Sequence, residues 1–408
     1  MKVLYYNHTG QVSGAERVLM MITGHLDRGR YEPVIVCPPH SRMMELANQG
    51  KVRTVGLDQL EARFTWRPDQ ILRYLSSFAK VIRAARSIVI DEQPAFIHAN
   101  SIRAGMVMAG ATVGLRVPVI WHAHDILPRH PISTAVRLLS VVTSRNRILA
   151  VSDAVARAFR GRLLRAWPRR TPITVIHNSV DLERFHPDEE SRPAARAELG
   201  FSSSTPVIAS VGQLTPRKGQ LELIESFAAV TRKLPDAVLL IIGTPIFNRD
   251  EEYARLLRAR VQSLGLTDKV RFLGSRDDVQ RLIRAVDVLV VNSHQEPFAL
   301  TVLEGLASGC AVLATAVGGT PEMISHEVNG FLVPPRQVPA LADGLLRLLS
   351  DSEMRHRLGR RARQDAMERF SIARYMEELH SLYRETTVCG ASPRRESSQT
   401  LQVKLSAD

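Results

Sequence analysis

The chain has 408 residues, 45% hydrophobic and 23% charged, with a net charge of +13. That length exceeds one ordinary core, and the composition excludes a disordered, collagenous or coiled-coil protein. No apolar run reaches the roughly 18–20 residues that span a bilayer, and three widely spaced cysteines (Cys37, Cys310, Cys389) suit neither a disulfide framework nor a thiolate zinc site.

In chain order, the strand-like run Lys2–Asn7 opens the sequence, which argues against a secretory leader, and helical periodicity follows over 14–27. Apolar runs Val34–Cys37 and Ala95–His98 flank a helical segment over 68–90. Val119–Ala123, a helical segment over 131–145, Ile148–Val151 and Ile173–Ile176 complete the first half. The second half repeats the plan with Val207–Val211, helix 218–233, Ala237–Ile242, helix 250–264, Val270–Leu273, Val286–Val291, Ala311–Ala314, Gly330–Val333 and helix 337–349. Continuous rather than alternating apolar runs mark strands buried on both faces of a parallel sheet, and their alternation with helices predicts βαβ units. The expected fold class is α/β: two doubly wound Rossmann-like domains facing each other across a cleft. Residues 1–185 form the first domain, 186–204 a Pro-, Ser- and acid-rich linker region, and 205–370 the second domain. Residues 371–384 form a C-terminal helix packing back toward the first, and 385–408 a disordered tail.

Residues 1–185 hold 26 Lys and Arg against 13 Asp and Glu, whereas residues 186–408 hold 28 against 28. All the excess positive charge therefore lies in the first half and predicts a polyanionic partner: nucleic acid, phosphorylated substrate or anionic membrane.

Five segments lie where a strand ends and a helix begins. Ser13-Gly14-Ala15-Glu16-Arg17 follows strand one; small residues let amides approach an anion at a helix start, and the segment lacks the GxGxxG of a dinucleotide site. Trp121-His122-Ala123-His124-Asp125 puts two imidazoles on one side of an extended chain. They suit a polar ligand or core packing; a metal is conceivable, but no third ligand is evident. Val211-Gly212-Gln213 leads to Arg217 and Lys218, cations that are unfavourable at a helix start unless an anion sits between them. In Glu296-Pro297-Phe298-Ala299-Leu300, Pro297 suits the first helical position, with Glu296 capping and the amides near Phe298–Leu300 facing outward. Glu304, eight residues on, then lies 80° beyond two turns, so both carboxylates border one cavity. A carboxylate on so apolar a helix needs a bound partner, for which a ribose diol is suited. Gly318-Gly319-Thr320-Pro321-Glu322 is a turn allowing close backbone approach. Each segment also reads as an ordinary turn or solvated face.

Together, these segments, with Ala150-Val151-Ser152, Val175–Asp181 and Asn329-Gly330, resemble the retaining family 4 glycosyltransferases of the GT-B fold over roughly residues 1–384. The resemblance implies a nucleotide-diphospho-sugar substrate held mainly by the second domain, with no cofactor and no metal. On that reading Glu304 holds the ribose, Glu296 meets donor-sugar hydroxyls, and Gly212 and the amides of Phe298, Ala299 and Leu300 border the donor. Arg217 and Lys218 neutralise the diphosphate, Gly14 closes from the first domain, and His124 lies near the transferring sugar. Gln213 departs from the pattern, where the family often has arginine; Ser13 and Ser179 stand where glycine is common.

The expected activity is metal-independent transfer of a hexose-type sugar from a UDP- or GDP-linked donor to a glycan or lipid-linked acceptor in cell-envelope or surface-polysaccharide synthesis. A non-catalytic nucleotide or lipid binder, or another sugar-nucleotide enzyme of this fold, is the alternative. The stretch 129–170, basic and amphipathic around Phe159–Trp167, suggests a peripheral contact with anionic lipid; no nucleic-acid motif is visible. The location expected is cytoplasmic, at the inner face of the membrane.

Overall fold

The computed structural model describes residues 1–60, 68–128, 130–142, 145–161, 171–246 and 248–390. Two parallel sheets organise it. The first domain alternates β1 (Lys2–Tyr6), α1 (Gly14–Gly24), β2 (Glu32–Cys37), α2 (Arg42–Gln49), β3 (Arg53–Gly56), α3 (Pro68–Glu92), β4 (Phe96–Ala99), α4 (Ile102–Ala111), β5 (Val119–Ala123), α5 (Pro131–Val142), β6 (Asn146–Ala150), α6 (Asp153–Arg160) and β7 (Ile173–Val175). Its seven strands run in the order β3-β2-β1-β4-β5-β6-β7.

After α7 (Arg192–Glu198), the second domain has β8 (Val207–Val211), α8 (Gln220–Lys233), β9 (Val238–Ile242), α9 (Asn248–Ser263), β10 (Val270–Gly274), α10 (Val279–Ala285), β11 (Val288–Val291), α11 (Leu300–Ala307), β12 (Ala311–Thr315), α12 (Thr320–Met323), β13 (Phe331–Val333), α13 (Val338–Ser350) and α14 (Ser352–Arg369). Its six strands run β10-β9-β8-β11-β12-β13. In both sheets the chain winds one way and then the other, so each has a crevice where direction reverses: between β1 and β4, and between β8 and β11. Ligands of doubly wound sheets bind at the carboxyl ends of such strands.

The central strands β4, β5, β9 and β11 are buried throughout, as two-sided burial of Val/Ile/Leu runs requires. The last helix, α15 (Ile372–Gly390), lies on the first domain: Tyr375, Leu379 and Tyr383 join the core of Val3, Tyr5 and Phe96. The two domains are crossed twice at one place, where Val180 N donates to Phe370 O at 2.9 Å. Among the described residues no helix is long and apolar enough to cross a membrane.

Four expectations need correction. The linker region is not open chain, because α7 forms within it and docks on the second domain through Arg192 and Arg196, both paired with Asp287. The C-terminal helix continues six residues past 384, held by the buried Thr386; residues 391–408 lie outside the described residues. The basic stretch is partly structural: Phe159 is buried and meets Trp121 edge-on at 6.4 Å, and Arg137 donates to the carbonyls of Ala158 and Phe159 at 2.8 Å each. Its continuation through Arg162, Leu163, Leu164, Arg165, Trp167, Arg169 and Arg170 lies outside the described residues. The fourth correction concerns where α11 begins, and belongs to the site.

Candidate active site

At the carboxyl end of β8, Gly212 donates its amide to Ile242 O at 2.9 Å. Pro216–Lys218 then make one 3-10 turn, and Gly219 (φ 66°) leads into α8. A Cβ at Gly219 would lie 2.1 Å from Asn292 O, so only glycine lets this turn seat against the loop after β11. Asn292 Nδ2 donates to Gly219 O, and His294 N to Arg217 O, each at 2.8 Å. The two loops thus become one unit, and Lys218 Nζ reaches Glu296 Oε2 at 2.6 Å. Ser293 Oγ donates to the same oxygen at 2.9 Å. Glu296 is only 5% exposed. Burial pushes its carboxyl up, but Lys218 and Arg217 outweigh burial and hold it below the usual range. It is therefore an ionised, paired carboxylate at neutral pH. Arg217 is exposed and spends one N–H on Gln295 O at 3.2 Å.

The helix expected from Pro297 starts at Leu300, with Ala299 as its N-cap. Glu296 therefore caps nothing, and its relation to Glu304 is not one of helix phase. The pairing with Lys218, 78 residues away in sequence, holds residues 296–299 out of the helix as a bent loop. The consequence foreseen from the helix survives by another route: the amides of Phe298, Ala299 and Leu300 have no hydrogen-bond acceptor among the described residues. With the start of α11 they leave an edge of open N–H donors beside Lys218. Glu304, on the second turn of α11, is half-buried, and its carboxylate has no hydrogen bond or ion pair among the described residues. Burial raises its carboxyl above the ordinary value, opposed by the more distant Arg17 and Arg184.

The first domain meets this edge at Gly14, the first residue of α1, where a Cβ would lie 3.6 Å from Leu300 Cδ1. His124 follows β5 and is half-buried. Its Nε2 lies 3.3 Å from Asn100 Oδ1, while Asn100 Nδ2 donates to Asn7 Oδ1 and Ala15 O. Since that oxygen can only accept, His124 carries its proton on Nε2. Its ring lies over His122, centroids 3.9 Å apart. His122 Nδ1 bonds His98 Nε2 at 3.0 Å and His98 Nδ1 bonds Tyr383 OH at 2.8 Å, so His122 belongs to the core. Burial pushes His98 and His124 down to about 3 and His122 well below its ordinary value. All three are uncharged at neutral pH.

The sequence reading missed the contact that joins the domains behind this site. Glu322 of the second domain accepts from the amides of Asp153 and Ala154 at 2.8 Å each, capping α6 of the first, and bonds His177 Nε2 at 3.0 Å. Asp153, His177 and Glu322 bring ligand atoms within 4.8 Å of one another. Glu322 is already committed to two amides and lies at a helix start with Arg157 3.8 Å away, which suits a latch better than a cation site. The signal lay in Gly318–Glu322, but a turn does not disclose which distant helix it caps.

Residues 12–184 match the family described as Glycosyltransferase Family 4, and residues 191–365 match Glycosyl transferases group 1. A D-inositol 3-phosphate glycosyltransferase of Saccharomonospora viridis is 33% identical over 305 residues, covering 71% of this chain and 69% of that protein. An N-acetyl-alpha-D-glucosaminyl L-malate synthase of Bacillus anthracis is 29% identical over 211 residues, 52% of this chain and 53% of that one. Among solved structures, HepE of Anabaena in complex with UDP superposes with a TM-score of 0.79 at 26% identity, covering 94% of this chain and 100% of its own. Two parallel-sheet domains, a charged edge on the second and relatives over both halves lead to one conclusion: the chain belongs to the family 4-like glycosyltransferases of the GT-B fold.

Proposed function

We propose that this glycosyltransferase is a retaining, metal-independent enzyme. It moves a hexose-type sugar from a UDP- or GDP-linked donor to a hydroxyl of a glycan or lipid-linked acceptor, in cell-envelope or surface-polysaccharide synthesis. The observation that carries this reading is the convergence of Lys218, Arg217 and three unpartnered amides on one edge of the second domain, with the unpartnered Glu304 beyond them. HepE has also been solved with UDP-glucose, which supports such a donor for this chain. Relatives named for inositol 3-phosphate and for malate favour an acceptor bearing an anionic group, in keeping with the basic first half.

In this reading Lys218, Arg217 and the amides at Phe298–Leu300 bind the diphosphate and take up the charge that develops as the glycosidic bond breaks. Glu304 accepts from the ribose hydroxyls and Glu296 from the donor sugar. The uncharged His124, its Nε2–H held by Asn100 Oδ1, borders the sugar without repelling an oxocarbenium-like centre. The acceptor attacks the face the leaving group quits, and a leaving phosphate oxygen takes its proton. Closure at Gly14 and Leu300 excludes water. A peripheral contact with anionic lipid through the basic first domain suits a lipid-linked acceptor; if liposome binding survives neutralising Arg160, Arg162 and Arg165 together, that part is wrong.

The test of the donor reading is a thermal-shift series with UDP, GDP, ADP and NAD, each with and without EDTA. A ligand of the folded state adds about 2.7 kcal/mol at 100 times its Kd. A shift with UDP or GDP, unaffected by EDTA, is the expected result. A shift with NAD alone sinks the reading.

A further inference from the structure

The loop that carries Glu296 and the three free amides is held from both domains. Glu296 O accepts from Gly319 N at 3.0 Å, and Pro297 O accepts from Ser152 Oγ of the first domain at 2.8 Å. In a trans peptide the C=O and the following N–H point in opposite directions. Anchoring Pro297 O on Ser152 therefore aims Phe298 N–H the other way. Gly318 and Gly319 make the approach possible, since a Cβ at either would lie 1.8 Å from Glu296 O or 2.3 Å from Pro297 O.

The Phe298 side chain is gripped as well. The His177 ring of the first domain stacks on it, with centroids 4.9 Å apart and planes 8° apart, and Phe370 meets it edge-on at 6.0 Å. His177 cannot turn in its plane, because its Nε2 is bonded to Glu322 Oε2 at 3.0 Å, and Glu322 is fixed by the two amides of α6. His177 also lines a cavity with Arg369, Arg374 and Tyr375, and the Phe370 ring lies tilted against it with centroids 6.2 Å apart.

We propose that His177 is a positioning residue for donor binding: a first-domain ring that holds Phe298, and with it the phosphate-facing amides of the second domain, in register. The donor edge is then complete only when the domains are latched, and binding of the nucleoside diphosphate is coupled to that latch. The inference rests on the donor reading above. Its logic separates the two contacts of His177. The flat face positions Phe298 directly, whereas the bond to Glu322 only orients that face.

The full chain is titrated calorimetrically with UDP and with GDP, and the melting temperature of the unliganded protein is recorded for each variant. His177→Gln keeps a hydrogen-bond donor toward Glu322 and loses the ring. It is expected to weaken diphosphate binding about three- to tenfold, the worth of a stacked aromatic pair, with little change in unliganded melting. His177→Phe keeps the ring and loses the bond, and is expected to stay within about threefold of wild type. Should His177→Gln not fold, His177→Leu, which fills the space without a flat face, takes its place with the same expectation. Equal binding by the ring-less variant and wild type overturns the inference and leaves the donor reading standing. So does a loss of affinity shared by His177→Phe and accompanied by a fall in unliganded melting, which is what a merely structural residue gives. A wild-type protein that binds neither diphosphate overturns both.

Discussion

The two crevices are built on the same plan and carry opposite chemistry. At the β8/β11 crevice, Lys218 and Glu296 form an ion pair 2.6 Å apart, and a second carboxylate, Glu304, stands without a partner. At the β1/β4 crevice and its neighbour β5, the polar groups around His124 are uncharged: Asn7, Asn100, Ser101 and His124 itself, with His8 pushed down to about 4 by burial and, secondarily, by Arg103; the buried Glu16 is turned to Ser13. This neutrality exists in the half of the chain that holds all the net positive charge. Several of those cations serve the frame instead: Arg86 donates to Ala111 O and Val113 O, Arg137 to the end of α6, and Arg147 pairs with Glu385. Twofold repetition of an architecture thus leaves each edge free to specialise. One carries an ion pair and a second carboxylate; around His124 the other carries uncharged hydrogen-bonding groups.

The most direct way to break this comparison is to remove the ion pair. Lys218→Ala strands a buried carboxylate and takes a cation from the diphosphate. Sugar transfer is expected to fall about 10²–10³-fold, the usual cost of one group that stabilises developing charge, while His124→Asn costs less. Single-turnover rates for the two variants decide it, and a larger loss for His124→Asn would mean that the neutral edge dominates the chemistry. Glu304 should give the next largest effect, split by sign. Because burial raises its carboxyl, its charged form weakens the unliganded protein. Glu304→Gln is therefore expected to melt higher than wild type while binding UDP or GDP about tenfold more weakly. A lower melting temperature would show the carboxylate to be structural.

Acid titration sharpens the contrast without any substrate. His98 and His124 have folded values near 3, His8 near 4, against about 6.5 unfolded. From pH 6.5 downward the unfolded chain binds protons that the folded first domain refuses, so stability falls. Glu296, depressed rather than raised, begins to cost only once the pH falls into the ordinary glutamate range, where the unfolded chain takes up its proton first. Denaturant unfolding between pH 7.5 and 4.5 is expected to show a decline beginning near 6.5, shallower by about one proton in His98→Gln. A flat profile down to pH 5 would contradict buried neutral imidazoles.

What the sequence disclosed follows the range of the interactions responsible. The central strands were legible because two-sided burial writes itself as Val/Ile/Leu runs such as Val288–Val291. β3 was not, since Arg53–Gly56 is a half-exposed edge with one large apolar residue. Nor was α4, whose Gly- and Ala-rich face lies so flat that a Cβ on Gly105 would meet Trp121 at 2.2 Å; such a helix shows no amphipathic stripe. α7 hid in a segment with the composition of a linker, because its anchor Asp287 is about 90 residues away. The residues expected at the second-domain site lie together around Lys218 and Glu296, yet the start of α11 was misplaced by three residues. Local rules favour Pro297 as a first helical residue, and the bond from Lys218 overrides them. The Glu322–His177 latch left only the turn Gly318–Glu322 as a local trace, being made of parts from three separate stretches of the chain.

The smallest expected effect concerns the position where the chain departs from its family. Gln213 stands where arginine is common, and its Nε2 donates to Asp250 Oδ2 at 2.7 Å while its carbonyl accepts from Gln220 at 2.9 Å. The side chain is thus turned toward α9 and away from the diphosphate edge, which leaves Arg217 and Lys218 as the cations there. An arginine at 213 would find Asp250, a buried carboxylate, already in place to pair with it. Most of its charge would be spent on that pair, not on phosphate. Gln213→Arg is therefore expected to tighten UDP or GDP binding by no more than about threefold, measurable by calorimetry. In Asp250→Asn the added guanidinium loses its partner, and the same substitution should gain more. A tenfold gain in the wild-type background would mean that the second crevice lacks a cation it could use, and that Arg217 does not replace the family arginine.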